Sequence, residues 1–246
     1  MKKILSIVLM AAVFIGTAHA QISVKAGYGM ATHVSKIKAE RTTIEEEAIF
    51  MNGIFVGASY EFGLLSNSWG DLSIKPGLTY SFYGDTVEDY LGDLKGEEMN
   101  VKEARYDHYL DVPVSLKYSY NILPDVLTLS GYVGPIFSFG LAATDVAKFT
   151  GGGDKAVQRE NLYTGTVTTK YEVGGEKISE KIEGDGTYYS MFDLKLGVGV
   201  SANIYETVDV FIEYGIGLLD RYTEPKSEFN IKYNTNILQV GVAYSF

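Results

Sequence analysis

The sequence predicts an all-β chain that folds as an eight-stranded antiparallel transmembrane β-barrel with long extracellular loops. Three observations predict it. The chain ends in an alternating strand that finishes on an aromatic residue, Phe246. Each predicted strand has an apolar row opposite a row of small, polar or charged residues. Short and long connections alternate along the chain, as they do in barrels that cross a membrane.

The first twenty residues have the pattern of a secretory signal peptide. Two lysines follow the initiator, residues 4–15 are almost entirely apolar, and Ala18 and Ala20 are small residues at the cleavage positions. The apolar run is too short to cross a bilayer as a helix. We therefore expect 1–20 to be removed and Gln21 to begin a single barrel domain over 21–246, with an uncleaved N-terminal anchor as the alternative.

The composition excludes several classes of function. The formal charge is −10, and removal of the two leader lysines makes it more negative, so nucleic acid is not an expected partner. The chain has no cysteine, which rules out a disulfide framework and thiol chemistry. It has 19 tyrosines, and aromatic residues make up 13%, which suits rings of aromatic side chains at membrane interfaces. We predict no cofactor and no metal site.

Period-2 alternation defines eight strands, because successive side chains of a strand point to opposite faces. The second strand carries an apolar row from Phe50 to Phe62, the fourth from Leu110 to Tyr120, the sixth from Phe192 to Val200 and the seventh from Val208 to Leu218. The predicted strands are 22–33, 48–62, 71–84, 105–120, 126–142, 187–203, 207–219 and 231–246.

The connections fall into two groups. Short turns are predicted at 63–70, 121–125 and 204–206. Longer polar loops are predicted at 34–47, 85–104, 143–186 and 220–230. An even number of strands puts both termini at the short-turn end, which we expect to face the periplasm, so that the long loops face outside.

The last strand also carries an assembly pattern. Leu238, Val240, Val242, Tyr244 and Phe246 form its apolar row, while the alternate positions are polar or small. An outer-membrane barrel usually ends in this way, because the last strand closes the barrel with its aromatic at the interface. Val242, Tyr244 and Phe246 are thus the predicted signal for the barrel assembly machinery.

A soluble lipocalin-like barrel is the alternative architecture, and the two differ in which face is apolar. The non-apolar row contains glycines and charges of both signs, which suit a narrow polar lumen and not the outside of an apolar ligand cavity. Its members include Lys25, Gly27, Gly29, Lys75, Gly77, Asp111, Ser115, Lys117, Ser130, Asp193, Lys195, Gly197, Gly199, Glu213 and Gln239.

The lumen is predicted to hold a charge network, because eight strands enclose a space that side chains can fill. A lone charge there is costly, so opposite signs should pair. A closed plug, a gated narrow channel and a proton relay are all compatible with the spacing. The predicted network is Lys25, Lys75, Asp111, Lys117, Asp193, Lys195, Glu213 and Gln239.

The predicted outer loops have two notable features. Acidic residues cluster in 85–104 and at 45–47, which would suit cations or basic ligands but lacks the spacing of a calcium loop. In 143–186, alternation from Tyr163 and the pair Gly174 and Gly175 predict a β-hairpin that stands above the membrane and offers an edge to a partner.

A lipid-modifying enzyme is the least favoured class. The predicted mature chain has two histidines, of which His33 points inward and His108 outward by strand parity, both near the outer rim. A hydroxyl–imidazole–acid unit needs a geometry that spacing does not show. We therefore predict a chain that is not an enzyme.

Three segments carry a family resemblance. Residues 109–118 read Tyr-Leu-Asp-Val-Pro-Val-Ser-Leu-Lys-Tyr, 131–139 read Gly-Tyr-Val-Gly-Pro-Ile-Phe-Ser-Phe, and 236–246 form the closing strand. They resemble strands of the small outer-membrane β-barrel family, porin-like and OmpA/OmpX-like, that is common in Bacteroidetes. The resemblance covers nearly all of 21–246 and implies a bacterial outer-membrane location.

From these observations we expect a non-enzymatic outer-membrane barrel with a structural or surface-interaction role through its loops. The alternative is a narrow porin-like channel for small solutes or ions. The expected partners are outer-membrane lipid, lipopolysaccharide, the assembly machinery and an extracellular ligand at the loops.

Overall fold

The computed structural model describes residues 21–39, 42–45, 49–94, 97–151, 154–184, 189–223 and 230–246. The predicted signal peptide therefore lies outside the described residues. In the described part, no helix is long and apolar enough to cross a membrane. The strands found there are β1 Gln21–Ala39, β2 Thr42–Glu45, β3 Ile49–Asn67, β4 Gly70–Leu94, β5 Glu97–Leu123, β6 Leu127–Gly151, β7 Asp154–Asn161, β8 Thr166–Val173, β9 Glu176–Ile182, β10 Phe192–Ile204, β11 Val208–Gly217 and β12 Asn230–Ser245.

Eight of these strands form a closed antiparallel ring, which confirms the predicted barrel. The ring runs through β1, β3, β4, β5, β6, β10, β11 and β12. It closes where the last strand pairs with the first, from Ser23 opposite Ser245 to Lys38 opposite Asn230. The pairing of β6 with β10 leaves β7, β8 and β9 outside the ring.

The predicted apolar exterior and polar interior are both present, as expected of a membrane barrel and not of a soluble one. On β12, Val240, Val242 and Tyr244 are exposed, whereas Gln239 and Ala243 at alternate positions are buried. Aromatic side chains gather at the two ends of the exposed band, as they do at membrane interfaces. Those at one end are Tyr28, Phe50, Tyr80, Tyr106, Phe139, Phe192 and Tyr214, and those at the other are Trp69, Tyr118, Tyr120, Tyr205, Tyr244 and Phe246.

Three of the predicted long loops are wrong, and in two of them β-ladders continue through the described residues. The described residues of 85–104 belong to β4 and β5, which stay paired until Leu94 stands opposite Glu97. Within 34–47, β1 runs on to Ala39 and pairs with β2. The sequence pattern fades here because a strand outside the bilayer can be polar on both faces, while its backbone hydrogen bonds continue. The loop predicted at 220–230 is described only in part.

Smaller differences concern the short turns and one strand start. The turn predicted at 63–70 lies between Asn67 and Gly70, and the strand predicted from 187 begins at Phe192. The turn after β10 places Tyr205 and Glu206 in the left-handed region, with φ of 52° and 56°. Such a pair of residues matches the twist of the flanking strands and keeps the connection short.

The third wrong loop is 143–186, whose described residues form a sheet. The end of β6 pairs with β7, β7 with β8, and β8 with β9. The hairpin predicted at Gly174 and Gly175 is confirmed as the β8–β9 turn, where φ is 57° and 87°. We call β6 beyond residue 143, together with β7, β8 and β9, the projecting sheet. It stands at the barrel end that carries the longer connections.

Candidate functional site

The middle of the lumen is filled by a buried ion cluster. Lys195 Nζ lies 3.6 Å from Asp111 Oδ1 and 3.6 Å from Asp193 Oδ2, and all three side chains are at least 95% buried. The lysine also sits over the ring of Tyr109, 5.3 Å from its centroid. The Lys195 cation is therefore shared by two carboxylates, one from β5 and one from β10, and lies between these carboxylates.

Neutral polar groups complete this layer. Asp111 accepts hydrogen bonds from Ser138, on β6, and from Ser81, on β4 at 3.5 Å. Gln239 Nε2 donates to Ser81 Oγ and to Tyr83 Oη, each at 3.2 Å. We call Asp111, Asp193, Lys195 and Gln239 the central plug, since they tie together strands on opposite sides of the lumen.

Below the plug, towards the short turns, the lumen contains a small polar cavity. Lys117 Nζ is 2.9 Å from Glu61 Oε2, and Ser73 donates to the other Glu61 oxygen at 2.7 Å. The cavity has a volume of about 40 Å³ and is lined in part by Lys25 and Lys75. A volume of this size holds a few water molecules at most.

Lys25 and Glu213 occupy the rest of this lower layer. Lys25 Nζ stands 5.7 Å from the Phe55 ring centroid and 5.6 Å from that of Phe211, in cation–π contact with both. Glu213 lines the same cavity beside Tyr132. Charge in the lower lumen is therefore stabilised partly by rings and not only by ion pairs.

Above the plug, Arg221 closes the barrel mouth. It lies in the β11–β12 connection, yet only 2% of it is exposed. Its guanidinium donates to the Ser190 carbonyl at 2.9 and 3.1 Å, to Tyr109 Oη at 2.9 Å, to Thr235 Oγ1 at 3.1 Å and to Tyr163 Oη at 3.0 Å. One side chain thus joins β5, β12, the projecting sheet and the segment before β10.

Tyr163 reaches the mouth from the β7–β8 turn of the projecting sheet. It is 1% exposed and packs with Ala143 and Leu162. A Cβ at Gly140 would lie 1.8 Å from its hydroxyl, so the tyrosine needs a glycine at that position. Burial raises the pKa of the Tyr163 phenol, although Arg221 opposes the shift, so the hydroxyl stays protonated at neutral pH.

A chain of polar groups lies beside Arg221. Asp107 Oδ2 is 3.0 Å from His33 Nε2 and accepts a hydrogen bond from Tyr109 Oη at 3.0 Å. His33 Nδ1 is 3.1 Å from Thr235 Oγ1, and the His33 ring stacks on Tyr233. We call His33, Asp107, Tyr109, Tyr163 and Arg221 the mouth cap.

The family model for the outer membrane protein beta-barrel domain matches residues 6–246. The chain belongs to this family. Its location in a bacterial outer membrane follows from that membership, and the predicted family is confirmed at this level. The Bacteroidetes subtype stays a prediction.

Solved structures of small outer-membrane barrels are similar to this barrel. Ail of Yersinia pestis, crystallised with the heparin analogue sucrose octasulfate, is 13% identical, with 93% of this chain and 100% of that chain covered and a TM-score of 0.36. Neisserial surface protein A is 11% identical (93% and 98% covered, TM-score 0.36), and the outer membrane enzyme PagL is 12% identical (89% and 98% covered, TM-score 0.36). The search of curated proteins gives no match.

All the residues predicted for the charge network lie on the inner side of the barrel. The structure brings Asp111, Asp193 and Lys195 into one cluster and places the other predicted lysines in the lower layer. His108 faces outward, where its Nδ1 is 2.6 Å from Tyr80 Oη. The predicted assembly residues Val242, Tyr244 and Phe246 are exposed on the outer face, and the last two rings are 4.9 Å apart.

The sequence interpretation missed the mouth cap and one ion partner. Alternation along β3 puts Glu61 on the lumen side, so the sequence could have predicted it as a partner of Lys117. Arg221 lies in a predicted loop without periodicity. Tyr163 begins the alternation that predicts the hairpin, but that pattern gives no sign that its hydroxyl reaches the barrel mouth. Across the part of the chain that is described, no group of three or more His, Asp or Glu side chains is arranged to hold a metal ion. Most side chains of the predicted acidic clusters at 45–47 and 85–104 lie outside the described residues.

Proposed function

We propose that this protein is a closed, non-enzymatic outer-membrane barrel that supports the projecting sheet as a surface for contact or for envelope integrity. The observation that carries the proposal is the mouth cap, in which a buried arginine from one connection bonds the projecting sheet to the barrel wall. The sheet is thereby held in a fixed position over the mouth.

Closure of the lumen is supported by two successive layers. The mouth cap and the central plug both consist of side chains that are almost completely buried and bonded across the lumen. Passage of a solute would require both layers to separate, and breaking one buried ion pair costs about 3–5 kcal/mol. The rival function, a narrow channel, therefore needs a gating event that opens two independent layers.

A catalytic function is opposed by burial. Thr235, His33 and Asp107 have the hydroxyl–imidazole–carboxylate order of a catalytic triad. Each of these residues is at most 1% exposed, and Arg221 donates to the threonine hydroxyl. If lipid A isolated from expressing cells changed in mass, and the change disappeared in His33→Ala or His108→Ala, the protein would be an enzyme.

The orientation is part of the proposal. Both ends of the barrel sheet, Gln21 and Ser245, lie at the short-turn end, which we assign to the periplasm. Because the chain has no cysteine, single cysteines report the orientation directly. A membrane-impermeant maleimide should label Ser179→Cys but not Asp125→Cys on intact cells, and the reverse pattern would invert the topology.

Removal of the projecting sheet tests the function. We would replace residues 154–182 with a short turn and verify the barrel by its heat-modifiable mobility on a gel. Cells with this variant should match cells without the protein in surface adhesion and in detergent sensitivity. If the variant restored both properties to the level of the full chain, the sheet would not be the functional part.

A further inference from the structure

The projecting sheet is electrically polarised between its two faces. Directly opposed residues of paired strands point to the same side, so the register assigns every side chain to a face. One face continues the lumen side of β5 and carries acids. The acids are Glu103, Asp145, Glu160 and Glu180. Arg105, opposite Asp145, lies on the same face.

The opposite face carries bases. It continues the outward side of the barrel, because Ala104 and Lys102 extend the lipid-facing row that contains Tyr106. We call this surface the basic face. Its six cations on β6 to β9 are all exposed: Lys148, Lys155, Arg159, Lys170, Lys177 and Lys181.

Few acids neutralise this face. Glu172 stands between Lys155 and Lys177 in the register, and Lys181 contacts Glu183 at 3.2 Å. The remaining cations still outnumber the acids in a chain whose formal charge is −10. The basic face is therefore a local reversal of the charge of the molecule.

The first row of cations on this face stands at the height of a lipid headgroup layer. Arg159 and Lys181 are level with Ala104, two residues beyond the interfacial Tyr106, and Lys148 and Lys170 are level with Lys102, four residues beyond it. At about 3.3 Å per residue and a tilt of about 40°, Ala104 and Lys102 themselves stand about 5 and 10 Å above Tyr106 along β5. The headgroup layer of a bilayer is about 5–8 Å thick.

We propose that the basic face binds the phosphate groups of anionic lipid headgroups in the leaflet around the barrel. Charge complementarity and continuity with the lipid-facing band favour this occupant over a soluble polyanion. Arg159 and Lys181 begin this face at headgroup height, and the cations share the side of the sheet that points away from the barrel axis. The acidic face points away from the lipid. A negatively charged membrane surface therefore attracts one face and repels the other, which orients the sheet.

The test uses the full chain in vesicles and a label on the sheet. Ser179→Cys lies in the same row as Lys148 and Lys170 and accepts an environment-sensitive fluorophore as the only cysteine. Emission should shift to the blue when phosphatidylglycerol replaces phosphatidylcholine, and high salt should reverse the shift. The same label at Thr169→Cys, on the acidic face, should not respond.

Matched charge variants decide the assignment. Lys148→Gln, Arg159→Gln and Lys170→Gln together should weaken the lipid response by about 100-fold, the contribution of three cations near an anionic surface. The control combines Gln158→Glu, Tyr171→Glu and Ile182→Glu, which lowers the charge by the same amount on the acidic face, and should keep the response. Equal loss in both variants, or no dependence on phosphatidylglycerol, would overturn the proposal. A response to soluble dextran sulfate without one to the anionic lipid would assign the face to a soluble polyanion and overturn it as well.

Discussion

The substitution Lys195→Met removes the cation of the central plug while keeping most of the side-chain volume. Two carboxylates, of Asp111 and Asp193, then remain buried without their counter-ion. Each lies 3.6 Å from the lysine nitrogen, a separation worth about 5 kcal/mol of Coulomb attraction at an effective dielectric constant of about 20. Desolvation of the lysine offsets part of this, so we expect the free energy of unfolding to fall by about 3–5 kcal/mol.

Urea titration of the refolded protein measures this loss. The compact, heat-modifiable band reports the folded fraction, and the midpoint together with the slope gives the free energy of unfolding. Lys148→Met is the control, since this exposed lysine should change the value by no more than about 0.5 kcal/mol.

A compensated variant separates charge from packing. Lys195→Met combined with Asp111→Asn and Asp193→Asn removes the unpaired charges and should recover most of the stability. A loss below about 1 kcal/mol in the single variant would refute the claim that this cluster holds the lumen closed. Equal losses in the single and triple variants would attribute the effect to packing instead.

Three further predictions concern the mouth cap and the closing strand. Arg221→Ala should lower the free energy of opening of the mouth by about 3 kcal/mol, measured by hydrogen exchange of the backbone around 162–165 and 189–191. Arg221→Lys should recover less than half of this lost stability, because an ammonium group cannot bond both sides of the mouth. Gly140→Ala should displace Tyr163 from the mouth at a cost of about 1–3 kcal/mol and increase protease cleavage at the β7–β8 turn. In a Tyr163→Ala background, where the ring is already absent, Gly140→Ala should cause no further increase. Deletion of Phe246 should reduce the fraction of the protein that is assembled in the outer membrane, whereas the Phe246→Tyr variant should assemble normally. Similar yields of the two variants would show that the aromatic side chain is not part of the assembly signal.

The alternation of side chains was sufficient to predict the barrel, because a membrane imposes an apolar row on each spanning strand. The same parity predicted that Asp111, Asp193 and Lys195 lie on the inner side of the barrel wall. That they are in contact could not be predicted, because it depends on the register of the strands. Outside the membrane that constraint disappears. Hence the long β4–β5 ladder and the three strands β7 to β9 were predicted as loops or as a single hairpin.

The mouth cap was not predictable from pattern for a different reason. Arg221 contacts residues that are distant in sequence, such as Tyr109 and Tyr163, through a connection without periodicity. A lone arginine in a polar loop gives no sign that it is buried. The role of Gly140 could not be predicted from the sequence either, since it leaves room for the hydroxyl group of Tyr163, which comes from a distant turn.

The current through single refolded barrels in a planar lipid bilayer tests the closed lumen most directly. The full chain should insert without discrete conductance steps, with folding confirmed in the same preparation by heat-modifiable mobility. A variant that lacks both layers, with Arg221→Ala, Lys195→Ala and Asp193→Ala, should conduct if it folds. Reproducible openings of the unmodified protein would contradict a sealed barrel and assign the lumen charges to a pore.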